Sequence, residues 1–473
     1  MVGILLAAGR GTRMKSEFPK VLFDINDEPL CVAPFRALAA RCDRIVVVVG
    51  YRGPDVKQAL TEFGRDLLGP ARFDSQVVFV TQDPPKGTGD AVRRAVETLG
   101  KSLGAQEEVI VLNGDLPLIR PESLDRLLKP AREGKLESAC LALRTSNPQG
   151  LGRILRDDKG LFFGIREEKD ANADEKRIRE VNGGVYYFQS GYLADAISQI
   201  NSDNAQGEFY LTDLLGSHGN KLRRTDAVFL RTPYDLLGVN TTWELASVRQ
   251  IAQARLQKRL CEEYGVDFKD PATTTVSARA QFTGACTIGP GCSILGKSRV
   301  ETGAFLEGHV LLESAQVGAG AKIHWGSVVR EAVVGPRAAV GPMAHLRPGT
   351  ELGESVRIGN FVETKKTKMG ARSKAAHLSY LGDATVGDDA NIGCGTITCN
   401  YDGFNKYPTR IGARSFVGSD VQLIAPVTVG DDAYVGSGTA VTQDVPSGAL
   451  ALSRAELVIK PGYAKRLADK KKK

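Results

Sequence analysis

No CxxC pair occurs anywhere in the 473 residues, which argues against zinc ribbons and thiol redox motifs. The eight cysteines, Cys31, Cys42, Cys140, Cys261, Cys286, Cys292, Cys394 and Cys399, are scattered and suggest no disulfide framework. Free thiols point to a reducing compartment. No apolar stretch is long enough to span a bilayer, so no membrane partner is expected. The first residues lack the basic segment of a signal peptide, and Gly9-Arg10-Gly11 breaks their apolar run at once. A cytoplasmic location is expected. Charge of one sign is scarce too. The formal net charge is +7, and part of it sits in the terminal run Lys470, Lys471, Lys472, Lys473. Such a run reads as a solvated tail rather than a nucleic-acid site. A mildly basic balance suits phosphate ligands.

The chain is 42% hydrophobic and 25% charged, ordinary for globular material, and too long for one core. Its second half has one dominant feature. An aliphatic residue returns at every sixth position: Phe282, Ile288, Ile294, Val300, Leu306 and Leu312 in one register, then Val317, Ile323 and Val329. Val334, Val340, Leu346, Leu352 and Ile358 follow, and Ile411, Val417, Leu423, Val429, Val435 and Val441 close the series. Small residues, Cys292, Ala304, Ala321, Ser327, Ala338 and Ala433, recur four places after an aliphatic one. A period of six predicts a parallel β-helix of hexapeptides, three to a triangular coil. The aliphatic residue points inward and the small one fits the corner. The phase breaks between Thr364 and Val386, and again between Thr398 and Ile411. Both breaks are expected to be loops ejected from the coil, where function usually resides.

The first half alternates strand-like runs (Gly3–Ala8, Ile45–Gly50, Val77–Thr81, Val109–Leu112, Ser138–Leu143) with helical patterns (Pro34–Ala40, Pro54–Phe63, Gly89–Leu99, Pro121–Leu128). This predicts an α/β, mostly parallel, doubly wound sheet with ligands at the carboxyl ends of its strands. Residues 241–265 read as a linker helix. The expected division is 1–240, a linker helix over 241–265, and 266–473 with an irregular tail from Ser453.

Leu6-Ala7-Ala8-Gly9-Arg10-Gly11-Thr12-Arg13-Met14 follows directly on the first strand, with Phe18-Pro19-Lys20 shortly after. Glycines let backbone N–H groups approach a phosphate. Arg13 and Lys20 place charge where a transferring phosphate develops it. The third glycine of a dinucleotide fingerprint and the GK[ST] of a P-loop are both missing. The segment resembles the signature of sugar-1-phosphate nucleotidylyltransferases. Further segments match that family: Gln82 with Gly87-Thr88-Gly89, Asn113-Gly114-Asp115, Gly152-Arg153-Ile154 with Glu167, Asn182-Gly183-Gly184, and Gly238-Val239-Asn240. The block Gly207-Glu208-Phe209-Tyr210-Leu211-Thr212-Asp213 resembles its sugar-pocket helix. The resemblance implies a Rossmann-like nucleotidylyltransferase domain in which Mg²⁺ is held by Asp115 and Asn240. One carboxylate and one amide oxygen suffice for an ion that keeps several waters.

Histidine is rare, five in all. His377 lies in the first phase break beside Tyr380 and near Arg347 and Lys365, cations suited to a sugar phosphate. A histidine there can serve as general base for acyl transfer to an amine. His309, His324 and His345 lie in regular coils and read as structural. With Gly395-Thr396-Ile397-Thr398-Cys399-Asn400-Tyr401-Asp402-Gly403, the two halves together resemble one bacterial family over nearly the whole chain. It is the bifunctional N-acetylglucosamine-1-phosphate uridylyltransferase/glucosamine-1-phosphate N-acetyltransferase.

The resemblance implies a left-handed β-helix, a homotrimer, and UTP and acetyl-CoA as co-substrates. It implies UDP-N-acetylglucosamine contacts at Leu6, Ala7, Ala8, Gly9, Lys20, Gln82, Gly87, Thr88, Asn113, Gly114, Asp115, Gly152, Glu167, Asn182 and Asn240. The acetyl acceptor would meet Arg347, Lys365, Tyr380 and Asn391, with His377 as base. Acetyl-CoA would meet Cys394, Asn400, Tyr401, Ser419, Ser437 and Arg454; Cys394 and Ser437 replace alanines expected of the family. The product would feed peptidoglycan and lipopolysaccharide synthesis. A nucleotidylyltransferase with a purely structural prism would not need His377, Tyr380 and Asn400-Tyr401 together. A catalytically dead sensor could lose Arg13, Lys20 or Asp115, and all three are present.

Overall fold

The computed structural model describes residues 1–216 and 224–470; the lysines after Lys470 lie outside them. The chain divides into two compact units, Met1–Gln253 and Ala254–Lys473.

The first unit is built on nine strands: β1 (Val2–Ala7), β2 (Arg44–Val49), β3 (Val77–Thr81), β4 (Glu108–Asn113), β5 (Ser138–Arg144), β6 (Arg153–Arg156), β7 (Phe162–Arg166), β8 (Glu180–Gln189) and β9 (Thr225–Phe229). The order across the sheet is β9-β5-β8-β4-β1-β2-β3, with β6 paired to β8 and to β7. Along that path every strand is parallel except β8, which runs antiparallel to β4 and β5. The apolar runs of β1, β2 and β4 are buried on both sides, as a sheet covered on both faces requires. The covering helices include α1 (Val32–Ala39), α2 (Gly53–Leu68), α3 (Pro70–Gln76), α4 (Thr88–Leu99), α5 (Pro121–Glu133) and α6 (Ser190–Ile197).

Two expectations need correction here. The sequence ends α5 at Leu128, before Lys129-Pro130, yet the helix continues through Pro130 to Glu133. Leu124, Leu127, Leu128 and Ala131 bury one face of it, and that packing outweighs the hydrogen bond a proline cannot donate. The block Gly207–Asp213 is not an α-helix: it has no regular structure up to Tyr210 and closes in a single 3₁₀ turn, Leu211–Leu214.

Helix α7 (Thr242–Tyr264) starts with a capping box. The Glu244 N–H donates to Thr241 Oγ1 at 3.2 Å, and the Thr241 N–H donates to Glu244 Oε2 at 3.0 Å. Both orphan donors are thereby satisfied. Leu245, Val248 and Ala252 of this helix pack into a core cluster of the first unit, while Leu256 and Leu260 belong to the core of the second.

The second unit is a parallel β-helix. Short strands stack on their equivalents one coil on, as in Thr287–Ile288 on Phe305–Leu306, Leu311–Glu313 on Val328–Arg330, and Gln316–Val317 on Val333–Val334. The stacked strands run from Asp267–Phe268 to Leu450–Ala451, one strand beyond the sequence expectation at each end. All the aliphatic positions of the six-residue series are 5% exposed or less, and the six small corner residues are nearly or fully buried.

The first phase break is not a loop. The coil continues through it on two nine-residue strands, Arg357–Lys365 and Lys374–Gly382, paired along their length. The inward positions there are Thr364, Met369, Ala375, Leu381 and Val386, all buried. The aliphatic signal fades for two reasons. Thr364 and Ala375 replace branched residues, and two steps are five residues long, Thr364 to Met369 and Leu381 to Val386. Leu312 to Val317 and Val329 to Val334 are also five-residue steps. All four turn the same corner, between the second face of the coil and the third. The one true insert, after Cys399, leaves at that corner too, before Thr409–Ile411.

Candidate functional site

In the first unit, the carboxyl ends of β1 and β4 bring the candidate charges together. Lys20 Nζ donates to Asp115 Oδ2 at 2.5 Å and to Asn240 Oδ1 at 3.2 Å. Arg13 donates to the same Asn240 Oδ1 at 2.8 Å. Asp115 and Asn240 therefore aim their oxygens at one point, which a cation already occupies as an ammonium. Neither residue is spent as a helix cap. Helix α7 is capped by Thr241, and the first helix after Asp115 begins only at Pro121. Val239 N–H bonds the Asp115 carbonyl at 3.1 Å, which ties the two segments side by side. Gly11 has φ +71°, and a Cβ on it would lie 2.4 Å from Lys20 Cβ. That position has no room for a side chain, so the loop folds directly onto Lys20.

Arg13, Lys20, Asp115 and Asn240 line a cavity of about 320 Å³, and Thr88, Asn113, Gly152, Glu167 and Asn182 line it too. Glu167 Oε1 accepts from the Thr212 hydroxyl at 2.9 Å. Asn182 Nδ2 donates to Tyr186 Oη at 2.7 Å, and its Oδ1 accepts from Gly184 N–H. Burial pushes the Glu167 carboxyl above its ordinary value, and the Asp213 and Asp170 charges add to this against the Thr212 hydrogen bond. Tyr186, Gln206, Tyr210 and Leu236 also line the cavity. Of these, Tyr186 carries no sequence signal, since it looks like any buried aromatic of a strand. Leu6, Ala7, Ala8, Gly9, Gln82, Gly87 and Gly114 lie outside this lining, around the ends of β1 to β4. Gln82 N–H bonds Val49 O, Gly114 N–H bonds Leu6 O, and Tyr51 N–H bonds Ala8 O. The loop bearing Gly87 and the segment bearing Tyr210 are stitched together. Gly89 N–H donates to Phe209 O and Phe209 N–H to Lys86 O, both at 2.8 Å, and Leu211 N–H donates to Thr88 Oγ1.

Among the described residues no cluster of three or more His, Cys, Asp or Glu could hold a metal. The Asp115–Asn240 pair instead matches an ion that takes most of its ligands from water and phosphate oxygens.

In the second unit the candidate residues fall on stacked coils. His345, Glu363, Tyr380 and Ile397 occupy one outward column. Arg347 Nη1 meets Glu363 Oε1 at 2.6 Å. Lys365 is held below its ordinary value by contact with the Lys406 ammonium, and by the charges of Lys406 and Arg347. Lys406 comes from the insert and went unmarked in the sequence, because only the fold returns the insert to Lys365. Arg347, Lys365 and Lys406 together favour a negative charge here. Asn400 Nδ2 donates to Asp383 Oδ2 at 2.5 Å, next to Tyr380, whose Oη would lie 2.4 Å from a Cβ on Gly382.

His377 lies at a different corner, the one between the first and second faces. It is exposed, and Nδ1 lies 3.1 Å from Asn360 Oδ1 on the coil before. Cys394, Ser419 and Ser437 follow it at this corner on successive coils. Asp420 N–H bonds the Cys394 carbonyl, and Ser419 N–H donates to Ser437 Oγ at 3.1 Å. Asn391 faces outward from the first face, stacked on Lys374. The single chain thus separates the Cys394–Ser419–Ser437 edge from Asn400 and Tyr401. Arg454 sits in an exposed segment, and helix α8 (Tyr463–Lys470) beyond it buries no side chain. His309 packs against Trp325, ring centroids 4.6 Å apart and planes tilted by 52°, and His324 pairs with Glu307 at 3.1 Å.

Comparison with known proteins covers both units. A MobA-like NTP transferase domain model matches residues 3–180. A protein of Pelobacter propionicus named Bifunctional protein GlmU is 42% identical over 471 residues, 99% of either chain. A Geotalea uraniireducens protein of the same name is 41% identical over 98% of each chain. Another, from Sorangium cellulosum, is 41% identical over 99% of this chain and 96% of its own.

Proposed function

The chain belongs to the family of bifunctional GlmU proteins, and from that premise we propose how its two units divide the work. It is an enzyme of UDP-N-acetylglucosamine synthesis. The second unit transfers acetyl from acetyl-CoA to glucosamine-1-phosphate. The first then transfers uridylyl from UTP to the N-acetylglucosamine-1-phosphate formed, for cell-wall peptidoglycan and lipopolysaccharide. The observation that carries this division is that one chain holds two cationic sites of different chemistry. One pairs Lys20 and Arg13 with a convergent carboxylate and amide oxygen; the other sets Arg347, Lys365 and Lys406 on the same prism as an exposed imidazole.

In the first unit the sugar phosphate oxygen attacks the α-phosphorus of UTP, and the α–β bond breaks to release pyrophosphate. Two anions must be aligned against their repulsion. Arg13 and Lys20 neutralise the charge that develops, and Glu167 and Asn182 hold the sugar. Gln82, with Gly87 and Thr88, meets the base. Asp115 and Asn240 would hold Mg²⁺, which would add positive charge at the phosphates.

In the second unit Arg347, Lys365 and Lys406 hold the phosphate of glucosamine-1-phosphate. With Asn360 Oδ1 accepting from His377 Nδ1, Nε2 keeps the lone pair a base requires. It takes the proton as the amine nitrogen attacks the thioester carbonyl, and the C–S bond breaks to free CoA. The acetyl-CoA residues are split between two edges of the prism, and Met343, Phe361 and Leu378 stand 48%, 60% and 60% exposed on successive coils. Both facts support assembly as a trimer, with each acetyl site completed across a subunit boundary. A cytoplasmic location belongs to the same reading; no helix of the described residues is long and apolar enough to cross a membrane.

The test supplies glucosamine-1-phosphate, acetyl-CoA, UTP and Mg²⁺, and follows free thiol and pyrophosphate separately. Omitting acetyl-CoA should abolish both signals, and N-acetylglucosamine-1-phosphate should restore pyrophosphate alone. EDTA should stop pyrophosphate and spare thiol release. Each unit has its own core, so residues 1–253 and 254–473 should each keep one reaction. If neither soluble fragment does, this modular assignment fails.

A further inference from the structure

Gln82, just after β3, is buried against Asp90 of α4, an acid to which neither reaction above gives a role. Gln82 is 3% exposed and Asp90 6%. Gln82 Nε2 donates to the Gly87 carbonyl at 2.9 Å and to Asp90 Oδ2 at 2.9 Å. A carboxamide nitrogen has two hydrogens, and both are spent here on acceptors. Arg94 Nε approaches the same Asp90 Oδ2 at 3.4 Å. Asp90 lies in the first turn of α4, where a helix favours an acid. That accounts for an acid at this position, but not for its being turned inward onto a side-chain amide.

The two ends of a carboxamide are nearly equal in shape, so neighbours decide which way it points. Turning the Gln82 amide over would set Oε1 against a carbonyl and a carboxylate in a buried site, where unpaired acceptors are costly. No hydrogen bond among the described residues uses Oε1 in the observed orientation.

We propose that Asp90 is a positioning residue for base selection, fixing the Gln82 amide so that Oε1 is the end offered to the nucleotide. The site then takes a pyrimidine whose N3 carries a hydrogen, as uracil does. It rejects one whose N3 carries a lone pair, as cytosine does, because two acceptors would then face each other with no hydrogen between them. The inference rests on the reading of Gln82 as a base contact given above.

The experiment measures kcat/KM for UTP and for CTP in the full chain, with N-acetylglucosamine-1-phosphate and Mg²⁺. Asp90→Asn keeps the shape but offers Gln82 either a donor or an acceptor. The UTP/CTP ratio should fall about tenfold or more, with acetyl transfer unchanged. A merely structural role would scale both nucleotides together, so an unchanged ratio in folded Asp90→Asn overturns the proposal. If that variant does not fold, Asp90→Ser is read by the same ratio. Gln82→Ala separates the two levels. If it leaves the ratio intact, the base-contact reading itself is wrong. If it collapses the ratio while Asp90→Asn does not, only the role of Asp90 fails.

Discussion

The two units build charged sites by opposite routes. In the first, Arg13 and Asn240, in contact at 2.8 Å, are 227 positions apart, and Lys20 and Asp115, at 2.5 Å, are 95 apart. In the second, Arg347 and Glu363 pair across 16 positions, one turn of the coil. A doubly wound sheet gathers the ends of distant strands at one edge; a solenoid gathers only what lies one or two coils away. The first kind of site should therefore depend on the whole unit, and the second on a few adjacent coils.

The widest separation of the two should come from His377→Ala. General-base catalysis is worth about 10²–10⁴-fold, so acetyl transfer should fall by that much while pyrophosphate release is untouched. If the rate of an intact assembly stays within a few-fold of wild type, His377 is structural and the base lies elsewhere. The mirror experiment is Asp115→Asn, which should cut pyrophosphate release by roughly 10²–10³-fold and spare acetylation. A parallel loss of thiol release would break the comparison.

Packing sharpens it further. A Cβ on Gly359 would lie 1.8 Å from the Ala376 carbonyl oxygen of the next coil. Gly359→Ala should cost about 3–5 kcal/mol, seen as a lower melting temperature of the second unit only. A smaller effect is expected at Lys406→Ala. Removing one of three cations around a phosphate should raise KM for glucosamine-1-phosphate about tenfold with little change in kcat, measured by initial rates of thiol release.

The smallest effect concerns Glu167, whose carboxyl burial raises above the ordinary 4.5. A raised carboxyl binds its proton more tightly folded than unfolded. Its contribution is full below the unfolded value and is lost as pH rises through the folded one. Glu167→Gln should therefore raise the melting temperature of the first unit by at most a few degrees near neutral pH, and not below about pH 4. Its kcat/KM for the sugar phosphate should fall. An equal thermal gain at both pH values would rule out the carboxyl's charge as the cause.

Some of this molecule was legible in local pattern alone. The six-residue period names the inward positions of the prism, because each coil repeats the same burial at the same spacing. The strands of the first sheet are buried on both faces and so read as unbroken apolar runs. The period misled where it stopped. Thr364 and Ala375 keep the coil with hydroxyl and methyl groups in place of branched chains, and Thr364 Oγ1 finds Thr350 Oγ1 at 3.0 Å inside it. His377 therefore belongs to a regular strand, not to an ejected loop, although the chemistry that drew attention to it is unaffected.

Residue types and spacing were enough to pick out Lys20 and His377 as candidates, because charge and glycine placement leave marks that survive without coordinates; Asp115, Asn240 and Glu167 came from the family resemblance of the motifs around them. Four things were decided only by tertiary structure: that Lys20 bridges Asp115 and Asn240, that Lys406 returns to Lys365, that Tyr186 lines the cavity beside Asn182, and that Asp90 turns inward onto Gln82. Each is a contact between segments whose separation in the chain has no period. The free energy of such a contact is set by burial and approach in three dimensions, and a one-dimensional pattern carries no record of either.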